Sequence, residues 1–384
     1  MARDARAMMQ EFSDTCVRCG RCARTDCGNY APGTPTLGDI CASLLAGEET
    51  WRHFPFTCAL CNRCTLECPV GLSAIDACKP ARIDVLSRHA ELRPLYRKFR
   101  TDLKWNLFSS LAARNRGNIE DVRYVEGEGG LGPEADATAF FPGCALYAYA
   151  PGLSAKVLAW LRDERIASYM LTLCCGATFY DPGFADEFDA YRRRFQRLIG
   201  RLGITRLVIT CPHCAYELPE LLEGTDVELV ELSRLMAQRG KVSTYAGRIS
   251  FHDSCYDRAE GRFRAYAEKL YPNATIVEMA HAGREGLCCG GGGLVSVYAY
   301  DYCTYRREQR LAEIDAVASD IVLSTCFSCV NSLQRGQGTK PVMHYLEPVF
   351  DEHVDWNGVY AGVDALYADP AYERLCARND KTCE

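Results

Sequence analysis

Residues 207–214 read LVITCPHC and residues 322–329 read VLSTCFSC. Each opens with a short apolar, β-rich run of the kind that fills a buried strand, and each closes on a Cys-x2-Cys pair. The agreement continues on both sides. Residues 173–176 and 287–290 are both LCCG, 138–144 (TAFFPGC) matches 249–255 (ISFHDSC), and 227–235 (VELVELSRL) matches 342–350 (VMHYLEPVF). The offsets are 115, 114, 111 and 115 residues. A register held that closely over about a hundred residues is a duplicated domain; two copies alone do not make a solenoid.

In the first copy, strands are expected at Ala139–Phe141, Tyr169–Leu173 and Arg206–Thr210, and helices at Leu153–Glu164 and Phe184–Leu202. The second copy repeats the series with strands at Arg248–His252, Thr275–Met279 and Ile321–Ser324, and helices at Phe263–Leu270 and Ala299–Ile314. Strands alternating with helices predict a doubly wound α/β sheet in each copy. Such sheets bind ligands beyond the carboxyl ends of their strands. The cysteines follow the strands directly, so they fall where this fold places its site.

The chain has 384 residues, enough to bury a core that needs no covalent staples, yet 23 of them are cysteine. A secreted disulfide framework would want an apolar leader, which Met1–Thr15 lacks, and an even cysteine count. No apolar run approaches the roughly 18 residues of a membrane span. With 44 basic and 50 acidic residues the net charge is −6, against the basic face that duplex nucleic acid needs. The expected location is the reducing cytoplasm, where thiolates stay available for metal, with peripheral docking at the inner membrane within a complex left open.

Cys58-x2-Cys61-x2-Cys64-x3-Cys68-Pro69 is the bacterial ferredoxin run without deviation. Such a run gives three thiolates to one 4Fe–4S cube and its fourth to another. Cys16-x2-Cys19-x2-Cys22 is its partner triplet, but the fourth cysteine, Cys27, comes one residue late, and Gly28 stands where proline is usual. Cys41 competes for that place. It lies in residues 37–46 (LGDICASLLA), a helical pattern in which a buried thiol is the simpler reading, as it is for Cys78. The crossed assignment puts Cys16, Cys19, Cys22 and Cys68 on one cube and Cys58, Cys61, Cys64 and Cys27 on the other. Structural zinc would use four sulfurs in more widely separated pairs.

The duplicated part supplies Cys144, Cys174, Cys175, Cys211 and Cys214, then Cys255, Cys288, Cys289, Cys326 and Cys329, at intervals of 30, 1, 36, 3 and 33, 1, 37, 3. Five sulfurs exceed what a cube needs, so either one is spare or the cluster is not a plain cube. Gly290–Gly293 removes side chains beside the second pair and lets backbone close around a bulky group.

Phe141-Pro-Gly-Cys144, Cys174-Cys-Gly176, Cys211-Pro-His-Cys214, His252-Asp-Ser-Cys255 and Cys288-Cys-Gly-Gly-Gly-Gly293 resemble the CCG domain. With the two preceding runs, about residues 10–350 resemble the heterodisulfide reductase family of iron–sulfur subunits, a plan shared by those of glycolate oxidase and anaerobic glycerol-3-phosphate dehydrogenase. The resemblance implies an α+β chain: a mainly helical dicluster ferredoxin-like domain at 1–114, a linker at 115–137, CCG domains at 138–240 and 241–352, and a tail at 353–384. It implies two cubane 4Fe–4S clusters and two noncubane 4Fe–4S clusters facing each other, with a disulfide reduced between them. Electrons would come from a flavoprotein subunit within a hetero-oligomeric complex. The same clusters could instead form a pure relay between a flavin dehydrogenase and a quinone or reductase complex, as in assemblies that reduce aromatic acyl-CoA. A zinc-binding scaffold is the third reading, which the ferredoxin runs disfavour.

His213, inside Cys211-Pro-His-Cys214, is the candidate proton donor to a leaving thiolate, or a hydrogen bond to cluster sulfur. His252 and Asp253 are read as orienting the Cys255 loop, and His281 and His344 as structural. Cys303 is read as a buried thiol. Cys376 and Cys383 lie in a polar tail, as free thiols or partner contacts. The basic run 191–197 (YRRRFQR) reads as a solvated helix face. No Walker loop is read, and no GxGxxG is read as joining a strand to a helix, so nucleotide and flavin sites are expected on another subunit.

Overall fold

The computed structural model describes residues 4–25, 27–30, 33–128, 137–378 and 380–383. After an edge strand β1 (Val125–Gly127), the first copy contributes β2 (Thr138–Phe141), β3 (Tyr169–Leu171), β4 (Arg206–Ile209) and β5 (Glu228–Glu231). The second contributes β6 (Arg248–His252), β7 (Thr275–Ile276), β8 (Ile321–Ser324) and β9 (Val342–His344). The sheets run β1-β3-β2-β4-β5 and β7-β6-β8-β9, parallel throughout except for β1. Leaving β1 aside, both copies order their strands second, first, third, fourth, so the duplication seen in the sequence is a duplication of topology. The strand order reverses between β2 and β4 and again between β6 and β8. Crevices at such switch points are where doubly wound sheets bind their ligands. Cys144 and Cys211 follow β2 and β4, and Cys255 and Cys326 follow β6 and β8.

Three strands depart from expectation. β1 lies within residues 115–137, the stretch read as a linker, and pairs antiparallel with β3, Glu126 opposite Met170. Its three residues carry no alternation to read. β5 and β9 run almost directly into Leu232–Gln238 and Glu347–Phe350, which merges a short strand signal with a helical one.

Alternate residues of β2 serve two cores, as a period of two requires. Phe141 faces a cluster with Tyr169, Leu207 and the N-terminal helices, whereas Phe140 meets Val208, Ile249, Phe251 and Leu323, joining the two sheets. In the N-terminal part, helices Ala5–Thr15, Leu37–Leu45 and Ala74–Arg88 pack on one another. Asp4, Thr36 and Ser73 cap them, and Thr36 with Asp39 forms a reciprocal capping box. Phe12, Ile40, Leu44 and Val85 fill the space between them. Among the described residues no helix is long and apolar enough to cross a membrane.

Helix Ala74–Arg88 also reaches the first copy with a charge. Lys79 is buried against Asp181 at 2.9 Å and Glu217 at 2.6 Å. Desolvation depresses the lysine pKa, but the two carboxylates overcome this and hold it above its usual value. The C-terminal segment is not a loose tail. Helices Trp356–Tyr367 and Pro370–Ala377 return to the N-terminal part, Leu103 bridges Lys381, and Arg97 and Arg194 donate to the Arg378 and Thr382 carbonyls. Cys376 is buried there, its thiol 3.8 Å from the Trp105 carbonyl oxygen.

Lys79→Met strands two buried carboxylates. The expected cost is about 3–5 kcal/mol, read as a lower urea midpoint under anaerobic conditions; an unchanged midpoint would show that the pair does not hold the units together.

Candidate metal centre

The ten cysteines of the two copies converge on one cavity of about 120 Å³; all but Cys288 line it. Their thiols form a continuous chain. In the first copy Cys144 meets Cys174 at 3.6 Å, Cys174 meets Cys175, Cys175 meets Cys214, and Cys214 meets Cys211. The second copy has the same order: Cys255 meets Cys288 at 3.9 Å, Cys288 meets Cys289, Cys289 meets Cys329 at 3.3 Å, and Cys329 meets Cys326. The two chains of sulfurs meet end to end, because Cys211 and Cys326 line one cavity and interact across it. Donation from Cys214 and then Cys326 holds Cys211 well below the usual thiol range, while the same contact pushes Cys326 up to about 11.

The backbone is shaped for this convergence. Gly176 and Gly290, directly after the paired cysteines, have φ of 94° and 82°. Their N–H groups donate to Cys174 and Cys288 at 3.4 and 3.3 Å. Only glycine enters that region without strain.

The N-terminal cysteines form two further groups. Cys16, Cys19, Cys22 and Cys68 border one small cavity, together with Cys64. Cys27, Cys58, Cys61 and Cys64 border another. Cys41 lines neither of these; burial pushes its thiol up to about 12. The Cys61 thiol touches those of Cys255 and Cys288, so the second N-terminal group adjoins the far end of the sulfur chain. All described cysteines are free thiols. So many soft donors packed together cannot all ionise unless cations neutralise them. A single zinc ion takes four ligands, whereas multi-iron clusters can use runs of this length, so the donor set fits iron–sulfur clusters.

His213 stacks on Tyr256, ring centroids 3.8 Å apart and planes 11° from parallel. Its Nε2 lies 3.5 Å from Asp181 and 3.6 Å from Glu217. Burial lowers its pKa, but the carboxylates more than offset this and raise it. Asp181, His213 and Glu217 could themselves grip a cation. Lys79 already bonds both carboxylates and fills that role.

Sequence reasoning gave His252 a lesser part than its position warrants. Arg310 donates to its Nδ1 at 3.0 Å. An arginine cannot accept, so the neutral ring carries its proton on Nε2. His252, Cys289 and Cys329 have ligand atoms within 4.8 Å of one another. Burial and Arg310 push its pKa down to about 3, which keeps the ring neutral. The corresponding first-copy residue is Phe141, so the two halves of the site differ. His344 is buried beside Phe327, and His281 pairs with Glu313 on the exterior. Cys303 is buried, its carbonyl packed on Gly290. In the basic run Arg194 is buried and Arg192 pairs with Glu223. Lys79, Asp181 and Glu217 carried no motif and were missed; their one trace is a lysine amid the apolar positions of helix Ala74–Arg88.

A cysteine-rich domain model, CCG, matches residues 138–219 and 249–334. An uncharacterized iron–sulfur protein of Methanocaldococcus jannaschii is 21% identical over 74% of this chain and 58% of its own length. One of the subunits of the fumarate reductase (CoM/CoB) of Methanothermobacter marburgensis is 23% identical over 76% of this chain and 60% of its own. One of the subunits of the dihydromethanophenazine:CoB–CoM heterodisulfide reductase of Methanosarcina mazei is 22% identical over 88% of this chain and 92% of its own. The chain thus spans only three-fifths of the first two relatives.

A Cβ on Gly292 would lie 2.3 Å from the Ala59 carbonyl oxygen, between Cys58 and Cys61. Gly292→Ala is expected to cost about 1–3 kcal/mol by overpacking and to speed proteolysis between the N-terminal part and the second copy. Wild-type resistance in the variant would contradict the close contact.

Proposed function

We propose that the chain, which carries two cysteine-rich CCG domains and resembles heterodisulfide reductase-like iron–sulfur proteins, is the electron-transferring subunit of a complex that cleaves a disulfide. The observation that carries this is the contact of Cys211 with Cys326, which brings two five-cysteine sets to one cavity. Cys16, Cys19, Cys22 and Cys68 would hold one cubane 4Fe–4S cluster and Cys58, Cys61, Cys64 and Cys27 the other. The two five-cysteine sets would each hold a noncubane cluster. A flavoprotein subunit is the proposed source of electrons.

Cleavage of a disulfide to two thiols consumes two electrons and two protons. The clusters, when bound, supply single electrons and iron to which a substrate sulfur can bind. The protein does the rest. Pro142, Gly143, Leu146 and Phe327 give the cavity apolar walls that exclude water. Tyr256 fixes the His213 ring, and Asp181 and Glu217 favour its charged form, so it holds one proton beside Cys214 for a departing thiolate. Lys79 keeps the two carboxylates in place.

The test is low-temperature EPR of anaerobically purified protein, oxidised with and without candidate thiols. A paramagnetic signal that appears only with thiol is expected. Cubane signals alone, whatever thiol is added, would overturn disulfide chemistry and favour a pure relay. His213→Gln is expected to lower disulfide turnover about a hundredfold with iron and sulfide content unchanged. Wild-type turnover would remove the histidine from the mechanism.

A further inference from the structure

Three buried arginines surround the second N-terminal cysteine group. Arg82, from helix Ala74–Arg88, donates to the carbonyls of Pro55 (2.9 Å), Cys58 (2.6 Å), Asp181 (2.8 Å) and Gly293 (2.9 Å). Arg258, from the second copy, donates to the Cys61 carbonyl at 3.0 Å and the Gly286 carbonyl at 2.7 Å, and lies 4.0 Å from the Cys255 sulfur. Arg306, also from the second copy, donates to the carbonyls of Cys27 (2.7 Å) and Thr57 (2.8 Å) and to the Asn29 side chain. Their exposures are 0, 5 and 3%.

Among the described residues none of the three forms an ion pair with a carboxylate; their acceptors are backbone carbonyls, one amide and a thiol. Arg258 Nε and Arg306 Nη1 have no hydrogen-bond partner at all. A buried cation without a counter-charge is expensive, and three around one spot are more so. The charges that face Arg306 are the sulfurs of Cys288, Cys58, Cys27 and Cys61. An anionic thiolate-bound cluster at this group supplies the missing charge.

The first group differs. Cys19 is exposed, and two of the arginines beside this group are already neutralised, Arg18 by Asp39 at 2.9 Å and Arg21 by Glu67 at 3.6 Å, all four side chains more than a third exposed, while Arg24 is exposed to solvent. Salt and water screen such pairs.

We propose that Arg82, Arg258 and Arg306 make the Cys27–Cys58–Cys61–Cys64 site the more easily reduced of the two cubane sites, so that electrons entering at the Cys16–Cys19–Cys22–Cys68 site, whose Cys19 is exposed, are drawn inward toward Cys255 and Cys288. This rests on the reading that both groups hold 4Fe–4S cubes. In the step, one electron leaves the outer cube, which is oxidised, and enters the inner one, which is reduced; no bond changes and no proton moves. Burial opposes the ordering, since adding an electron to a poorly solvated anion is unfavourable. The same low dielectric strengthens attraction to fixed cations, and three of them act together.

The experiment is a redox titration of the full-length anaerobic protein, with dithionite and mediator dyes as the redox couple, followed by EPR. The wild type is expected to give two cubane midpoints. Arg306→Met and Arg258→Met, made separately, should each lower the higher midpoint and leave the lower one in place. At the original midpoint the reduced-to-oxidised ratio should fall at least tenfold, about 59 mV for one electron. Arg306→Lys and Arg258→Lys, which keep the charge, should stay near the wild-type value. A single shared midpoint in the wild type, a Met variant that keeps its iron and sulfide and titrates as wild type, or a shift in the lower midpoint would each overturn the proposal. If a Met variant loses its iron, the Lys variant at that position decides, and a displaced higher midpoint there counts against it. Wild-type protein without iron and sulfide in the N-terminal groups would instead overturn the cofactor reading itself.

Discussion

Thiols brought to 3.3–3.9 Å of one another in a buried cavity cannot all carry charge unless cations neutralise them. Much of the molecule is arranged around that constraint. Two sheets whose four parallel strands share one order place Cys211 after β4 and Cys326 after β8 at one cavity. Glycines at positive φ turn the backbone tightly after each cysteine pair and aim N–H groups at the sulfurs. Neither copy closes the cavity alone: its walls include Ala59 and Phe108 from the N-terminal part as well as residues from both sheets.

The copies have diverged within this symmetric frame. His252 stands near Cys289 and Cys329 in the second, where the first has Phe141 packed against Phe195. His213 and its carboxylates stand beside Cys214 in the first, where the equivalent position in the second is Ser328. Among the described residues the N-terminal sulfurs meet the second set, through Cys61. One half is therefore placed for contact with the N-terminal groups, and the other carries His213 with Asp181 and Glu217.

Much of this was legible in the chain. The 111–115 residue offsets gave the duplication, and four-residue apolar runs such as Arg206–Ile209 and Ile321–Ser324 formed strands almost to the residue. The cysteine spacings located all the sulfurs that line the cavity. What was not legible depends on contacts between residues far apart in sequence. Lys79 and Glu217 are 138 residues apart, and Arg306 and Cys27 are 279 apart. Lys79, Glu217 and Arg306 each read alone as an ordinary surface charge. Burial of Cys376 in a polar segment likewise depends on Trp105, which no local pattern announces.

The most direct test of the account is a crystal structure of anaerobically prepared protein with data collected at the iron absorption edge. The account predicts multi-iron anomalous density on either side of the Cys211–Cys326 contact, within reach of all five sulfurs of each set. Single metal atoms on four sulfurs, or disulfides among the ten cysteines, would contradict it.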